Sequence, residues 1–373
     1  AEGPHAVVTI PAPSGSDVVV GELNGQMIKS MEDRQAILQI KTDRATYTIP
    51  AEQINISAIS AQMGASAALQ DIKIRVEIGA PAEETAKLVE HAADGTFTLV
   101  AAPVEFTVRA TYGGTTIEIS KFSAYVERTI AIPGGVDPNK ITTAVVIDPD
   151  GTPRHVPTKI VLVDGQYYAV INSLTNSTYT VVWHPVEFGD VAEHWAKDTV
   201  NHMGSRMVIE GTGGREFSPD RDITRGEFAA IIVRALGLGL EKGASIFSDV
   251  KESDWYNSAV HTAYAYGLLD GFEDGTFRPD DKITREQAVV IIAKAMALTG
   301  LKAKLPDQPA EAALRAYADA TQVSDWAISG MADCVQAGIV SGRSDSALAP
   351  LDSITRAEAA AIVERLLLTS DLI

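Results

Sequence analysis

Three arginines stand where an anion could be held. Arg225, Arg285 and Arg356 open the segments Arg225-Gly226-Glu227, Arg285-Glu286-Gln287 and Arg356-Ala357-Glu358, each preceded by a threonine: Thr224, Thr284 or Thr355. Thr with Glu or Gln three residues on is a capping box, so each Arg falls in the first turn of a helix. Backbone N–H groups there lack intrahelical partners, and the helix dipole is positive. A guanidinium beside them adds a bidentate match for a carboxylate. The chemistry predicted is recognition of an acid group, with no catalytic residues. Pairing with a nearby acid such as Asp222, Asp281 or Asp352 is the plainer use of one such Arg, but three at one register favour binding.

That register is a repeat. From Trp195, Trp255 and Trp326 a glycine follows 16 residues later (Gly211, Gly271, Gly342), a proline 8 after that and the Arg 6 after that. The distance from Trp to Arg is 30 residues in all three copies, which start 60 and then 71 residues apart. The extra residues fall in Lys302–Ala316, between the second and third copies. Each copy opens with an aromatic–x–Asp: Phe188/Asp190, Phe247/Asp249 or Tyr317/Asp319. Repeats of this kind cannot bury a core singly and must pack on one another.

Each copy reads as helix, loop, helix. The first helix starts at or just after the Trp, capped by Asp254 and Asp325 in the second and third copies and more weakly by His194 in the first. It runs up to the glycine, which fits a helix exit with positive φ. Phe217, Phe277 or Leu348 plugs the loop into the core. The second helix starts at the Thr, with Ile223, Ile283 or Ile354 as a hydrophobic staple before it. Its apolar positions recur at helical spacing: Phe228, Ile231, Ile232, Ala235 and their equivalents Ala288–Ala295 and Ala359–Leu366. A Trp at one register of each helix start is predicted to pack first, with a groove wall as its second use.

Residues 1–184 have a different texture. Apolar and polar residues alternate in Ala6–Ile10, Gln35–Lys41, Ile72–Ile78, Glu105–Thr111, Thr116–Ile119, Lys159–Val163 and Tyr179–Trp183, which predicts strands. Turns are predicted at Leu23-Asn24-Gly25, Ala93-Asp94-Gly95, Tyr112-Gly113-Gly114, Asp148-Pro149-Asp150-Gly151 and Asp164-Gly165. Ser57–Met63 and Pro81–Ala93 could be helical. The expectation is an α+β multidomain chain: an all-β, sandwich-like region over 1–184, then an all-α assembly over 185–373. The β region is one sandwich or two modules divided near Pro133–Pro138.

The aromatic–x–Asp–Val opening, the Trp, the loop Gly271–Pro279 and the Ile-Thr-Arg-Ala-Glu helix start resemble the S-layer homology motif. Three copies, about 187–240, 246–300 and 316–369, resemble a complete S-layer homology domain. The resemblance implies a pseudo-threefold helical assembly that anchors a secreted bacterial surface protein to a secondary cell-wall polysaccharide, often one bearing a pyruvate ketal. It implies polymer binding by Arg225, Arg285 and Arg356 in grooves between neighbouring motifs; Gly211, Gly271 and Gly342, like the three tryptophans, are candidate groove walls. The copies depart from the pattern at Gly211–Phe217, which lacks the Asp-Gly turn, at Asp345, Ser346 and Leu348, at Ala320, and at Gln287.

Composition fixes what the partner is not. With 31 Lys and Arg against 49 Asp and Glu, the formal net charge is −18. That excludes nucleic-acid binding by bulk phosphate neutralisation and argues against anionic membranes. No apolar run approaches a membrane span, and the start at Ala1 without an apolar leader predicts a soluble chain whose leader was removed or never present. One cysteine, Cys334, allows no intrachain disulfide and is predicted to be buried. The histidines show no metal-ligand spacing, and no cofactor is implied. The partner that the resemblance implies is an anionic cell-wall polysaccharide, with neighbouring surface-layer proteins as a further one. An anchored glycan-active enzyme with its site in the β half, for instance at Glu83/Glu84, and a lattice-forming S-layer subunit are the alternatives.

Overall fold

The structure is a computed structural model, and it describes residues 5–12, 15, 18–64, 67–344 and 346–373. The chain divides into two compact units, Ala1–His184 and Pro185–Ile373.

The first unit is built on two sheets. One has the strand order Val7–Pro11, Ile37–Lys41, Ala45–Pro50, Lys121–Ala131, Gln166–Thr175, Thr158–Val163. The other runs Pro153–Val156, Thr143–Ile147, Thr178–Trp183, Val104–Tyr112, Lys73–Gly79, Val18–Asn24, with two short strands attached. Val7–Pro11 pairs in parallel with Ile37–Lys41. Both sheets draw strands from either side of residues 133–138, so that segment connects strands within one unit and divides no modules. The inward faces share one core. Tyr47 of the first sheet meets Phe106 of the second edge-to-face at 5.2 Å between ring centroids.

Among the described residues, three α-helices lie among the strands: α1 (Gly25–Glu32), α2 (Ile56–Met63) and α3 (Glu83–Ala93). The first replaces the turn expected at Leu23-Asn24-Gly25. Asn24 caps α1 by accepting the Met27 N–H at 2.8 Å, a role open to Asn in a turn or at a helix start. The turn at Asp148–Gly151 forms as expected, with Gly151 N–H donating to Asp148 C=O and φ +85° at the glycine.

The second unit holds α4 (Lys197–Ser205), α5 (Arg225–Ala235), α6 (Asn257–Ala265), α7 (Arg285–Leu298), α8 (Ala310–Leu314), α9 (Ile328–Gln336) and α10 (Arg356–Thr369). Helix α8 lies in the longer connection before the third motif. The second helices of the motifs, α5, α7 and α10, are central, and residues beyond the expected stripe, such as Ala229, Val289 and Ala360, are buried too. The first helices lean on them: α6 packs on α5, α9 on α7 and α4 on α10. Each pair joins different motifs.

The axis of this assembly is a closed hydrogen-bonded triangle. Ile223 N–H donates to Ile354 C=O at 3.0 Å, Ile354 N–H to Ile283 C=O at 3.3 Å, and Ile283 N–H to Ile223 C=O at 3.1 Å. All three staples are fully buried, so the residue that fixes each helix entry also closes the pseudo-threefold ring.

The first helices end earlier than expected. Val208, Leu268 and Ile339 donate back to Met203, Ala263 and Cys334, while Met207, Gly267 and Gly338 donate to Gly204, Tyr264 and Val335. This is a Schellman exit with positive φ at Met207, Gly267 and Gly338. Gly211, Gly271 and Gly342, four residues on, do not have positive φ. Their helices also start without side-chain caps at Ala196, Tyr256 and Ala327. Asp254 instead accepts the Lys251 N–H and closes the turn ahead of α6, and His194 Nδ1 accepts the Ala196 N–H in the same region of the first motif.

Candidate functional site

The capping boxes form in all three motifs. Thr224, Thr284 and Thr355 hydroxyls accept the N–H of Glu227, Gln287 and Glu358, whose side chains accept the threonine N–H in return. The remaining first-turn amides are also taken. Arg225, Arg285 and Arg356 N–H donate to the C=O of Asp281, Asp352 and Arg221 at 2.8–2.9 Å, and the next residue's N–H donates to Pro279, Pro350 or Pro219. All four amides that a helix start leaves open are thus filled. The expected anion site on free helix-terminal N–H groups is absent, because inter-motif contacts consume them.

The arginine side chains follow the same handover, from the first motif to the second, the second to the third, and the third to the first. Arg225 Nε donates to Phe277 C=O at 2.9 Å, and Arg356 Nε to Phe217 C=O at 2.8 Å. Arg356 continues to Glu210 C=O and to Glu227 Oε1, the latter at 3.0 Å. Arg285 donates to Ser341 C=O, and its Nη1 lies 3.9 Å from Glu358 Oε1. Desolvation lowers the pKa of all three, partly offset by Asp281 for Arg225, Glu358 for Arg285 and Glu227 for Arg356. Each side chain is largely buried against a neighbour's loop. The simple pairing with Asp222, Asp281 or Asp352 carboxylates does not occur: Asp222 pairs with Lys282, Asp352 with Arg343, and Asp281 uses its backbone.

Trp195, Trp255 and Trp326 are 65%, 63% and 58% exposed, so the packing role expected first is wrong. Each lies ahead of a helix that leans on another motif, which leaves the indole on the surface. Two grooves show where they stand. One, of about 570 Å³, is floored by Gly211, Arg221, Glu227 and Arg234 of the first motif, with Trp255 from the second and Arg356 from the third. The other, of about 550 Å³, joins Gly342, Arg343 and Arg365 of the third motif to Trp195 of the first and Arg285 of the second. Each groove is composed from three motifs, one more than the sequence suggested.

Space explains the three glycines. A Cβ on Gly271 would lie 2.2 Å from Phe247 Cε1 and 2.7 Å from Thr276 C=O. On Gly211 it would meet Phe188 at 2.8 Å, and on Gly342 the Ala347 C=O at 2.6 Å. The opening aromatic of each motif therefore presses on its own glycine. The opening acids clamp the loop: Asp190 accepts the N–H groups of Phe217 and Ser218, Asp249 those of Phe277 and Arg278, and Asp319 those of Leu348 and Ala349. Ser218, Arg278 and Ala349 hold positive φ there. Two consecutive amides on one carboxylate stabilise that turn. The expected Asp-Gly variation at Asp345 lies outside the described residues.

A second cation in each motif escaped the sequence reading. Arg234, Lys294 and Arg365 stand nine residues after the motif Arg, and Arg234 and Arg365 line the two grooves. Arg234 pairs with Glu210 and Lys294 with Asp270, while Arg365 faces Ser341 at the equivalent place and donates to Ile339 C=O. The constant spacing was the available signal. Cys334 is fully buried, its Sγ directed at Val289 C=O, and burial pushes the thiol up. Among the described residues no group of His, Cys, Asp and Glu could hold a metal, and no helix is long and apolar enough to cross a membrane.

These three motifs define a class. Residues 187–229, 246–289 and 316–360 match the S-layer homology domain. Among similar proteins, the amylopullulanase of Thermoanaerobacterium thermosulfurigenes is 32% identical over 71% of this chain and 14% of its own. The exoglucanase XynX of Acetivibrio thermocellus is 36% identical over 52% of this chain and 17% of its own. The surface-layer 125 kDa protein of Lysinibacillus sphaericus is 32% identical over 46% of this chain and 14% of its own. The chain thus spans less than a fifth of each relative. Its helical half consists of three S-layer homology domains, non-catalytic units of cell-wall anchoring, and the protein is one of the bacterial cell surface.

Proposed function

We propose that the helical unit is a non-catalytic anchor that holds an anionic cell-wall polysaccharide in the grooves between motifs, with a ketal-linked pyruvate as the acid it reads. Residues 1–184 are then a spacer or display unit carried on that anchor. The observation that supports this most is the composition of the grooves: a fixed Arg, an exposed Trp and a glycine without a side chain converge from three motifs. An indole left in water offers its face to the apolar side of a sugar ring, and a desolvated guanidinium strengthens its contact with a carboxylate.

The enzyme alternative draws on the names of similar proteins, an amylopullulanase and an exoglucanase, and not on the pair Glu83/Glu84. Glu83 is exposed and paired with Lys87 at 2.6 Å on α3, as on a solvated helix face. The match to the amylopullulanase is longer than the helical half, which supports a β unit that travels with the anchor.

The test is a pull-down of the full chain on purified sacculi, before and after chemical release of the covalently attached polymer. Retention before release and loss after it is expected. Equal retention on stripped sacculi would overturn the reading.

A further inference from the structure

The three motif arginines differ in what neutralises them. Arg356 contacts the carboxylate of Glu227, and Arg285 faces that of Glu358, each acid being the capping-box residue of the motif the Arg reaches over. Arg225 reaches over the second motif, where that position is Gln287. No carboxylate lies within ion-pair distance of Arg225 among the described residues, and its Nη1 and Nη2 donate to no protein acceptor there. Its guanidinium instead lies 4.8 Å from the ring centroid of Phe272 and 4.7 Å from that of Phe277, with Nε held by Phe277 C=O. Asp281 and Asp249 act on it only at longer range, and Arg278, itself paired with Asp274, adds a second positive charge nearby.

We infer that this position, Glu227, Gln287 or Glu358, decides where the assembly selects for an acid, and that the pseudo-threefold equivalent of the two grooves, at Arg225 on the second motif, is the carboxylate-selective one. In the two grooves an incoming carboxylate competes with a protein carboxylate for the same guanidinium. At Arg225 the fork is fixed by two rings and one backbone bond, its terminal donors are open, and nothing negative must be displaced. Charge-assisted bidentate pairing is then available to the ligand at little reorganisation. Glutamine fills the other duty of this residue unaided, since Gln287 completes its capping box. The position can therefore switch charge without losing the helix start.

This inference rests on the proposed anchoring function, and one experiment separates the two. Each groove carries its own indole: Trp255 beside Arg356 and Trp195 beside Arg285. Trp326 holds the equivalent place ahead of α9, which packs on α7 and is tied to it by Glu286 accepting from Ser324. In the full chain labelled with 15N-tryptophan, the indole N–H signals, assigned by single Trp→Phe variants, report the grooves one by one. The probes are a methyl hexoside bearing a pyruvate ketal and its neutral methyl ester. The acid is expected to saturate the Trp326 signal at about tenfold lower concentration than those of Trp195 and Trp255, and the ester to remove that preference. Gln287→Glu should abolish the preference, while Glu227→Gln should bring Trp255 to the affinity of Trp326. Equal saturation of all three indoles by the acid, or a Gln287→Glu chain that keeps the preference, overturns this inference and leaves the anchor standing. No shift of any of the three indoles with either probe overturns both.

Discussion

Arg356 Nη1 donates to Glu227 Oε1 at 3.0 Å, which joins the start of the last helix to the capping box of the first repeat. One carboxylate thereby serves two structures. It closes its own helix start through the Thr224 N–H, and it closes the ring of motifs through the arginine.

That dual use has a pH signature. Burial raises the Glu227 carboxyl, but hydrogen bonds from Arg221 and the Thr224 N–H outweigh it, so its pKa is net lowered; Glu358 is lowered likewise by Arg343 and Thr355 against its burial. A folded-state pKa below the unfolded value of about 4.3 gives stability that is present above that value and is lost as pH falls through the folded one. The Glu227→Gln/Glu358→Gln double variant should therefore melt below the wild type at pH 7, and the gap should close toward pH 3. A gap independent of pH would remove the carboxylates from the account.

The isoleucine triangle predicts cooperativity across motifs. Ile283→Ala should cost about 2–5 kcal/mol, as for a fully buried isoleucine. The Cys334 thiol, in another motif and packed against α7, should become reactive at the same denaturant concentration as the tryptophan fluorescence change in both proteins. Thiol exposure well before that change would mean that the motifs unfold one at a time.

Two glycines four residues apart should fail for different reasons. Gly267 has φ +66° and open space around it, so Gly267→Ala should cost about 1–2 kcal/mol through backbone strain alone. Gly271→Ala must displace Phe247, and Phe247→Leu should restore part of the loss in that background only. Equal effects of Phe247→Leu in both backgrounds would put strain, not space, at Gly271.

The repeat register made the helices, the caps and the arginines legible in the linear chain. It could not show which motif each arginine reaches, because the handover depends on how the ring closes. Arg285 therefore belongs with the loop of the third motif and not with Asp274–Phe277, and Arg225 takes that place. The tryptophans were misread for the same reason: their exposure follows from a neighbour that is remote in sequence. In the β half, Thr143–Ile147 shows no alternation since all five residues are buried, with α3 packed on this strand. The strand Lys121–Ala131 carries Arg128 into the core, where Tyr47 and Tyr179 stack on its guanidinium, a position that no alternation rule anticipates.

On the proposed reading, exposed indoles and buried arginines from three motifs form wall-binding grooves. Replacing Trp195, Trp255 and Trp326 together with Ala tests it most directly, because side chains this exposed carry little stability, about 0.5 kcal/mol or less each. Binding to polymer-bearing sacculi and the thermal melt are measured on the same preparation. A melt close to the wild type and retention reduced to the level of stripped sacculi are expected. Wild-type retention by the triple variant would contradict it.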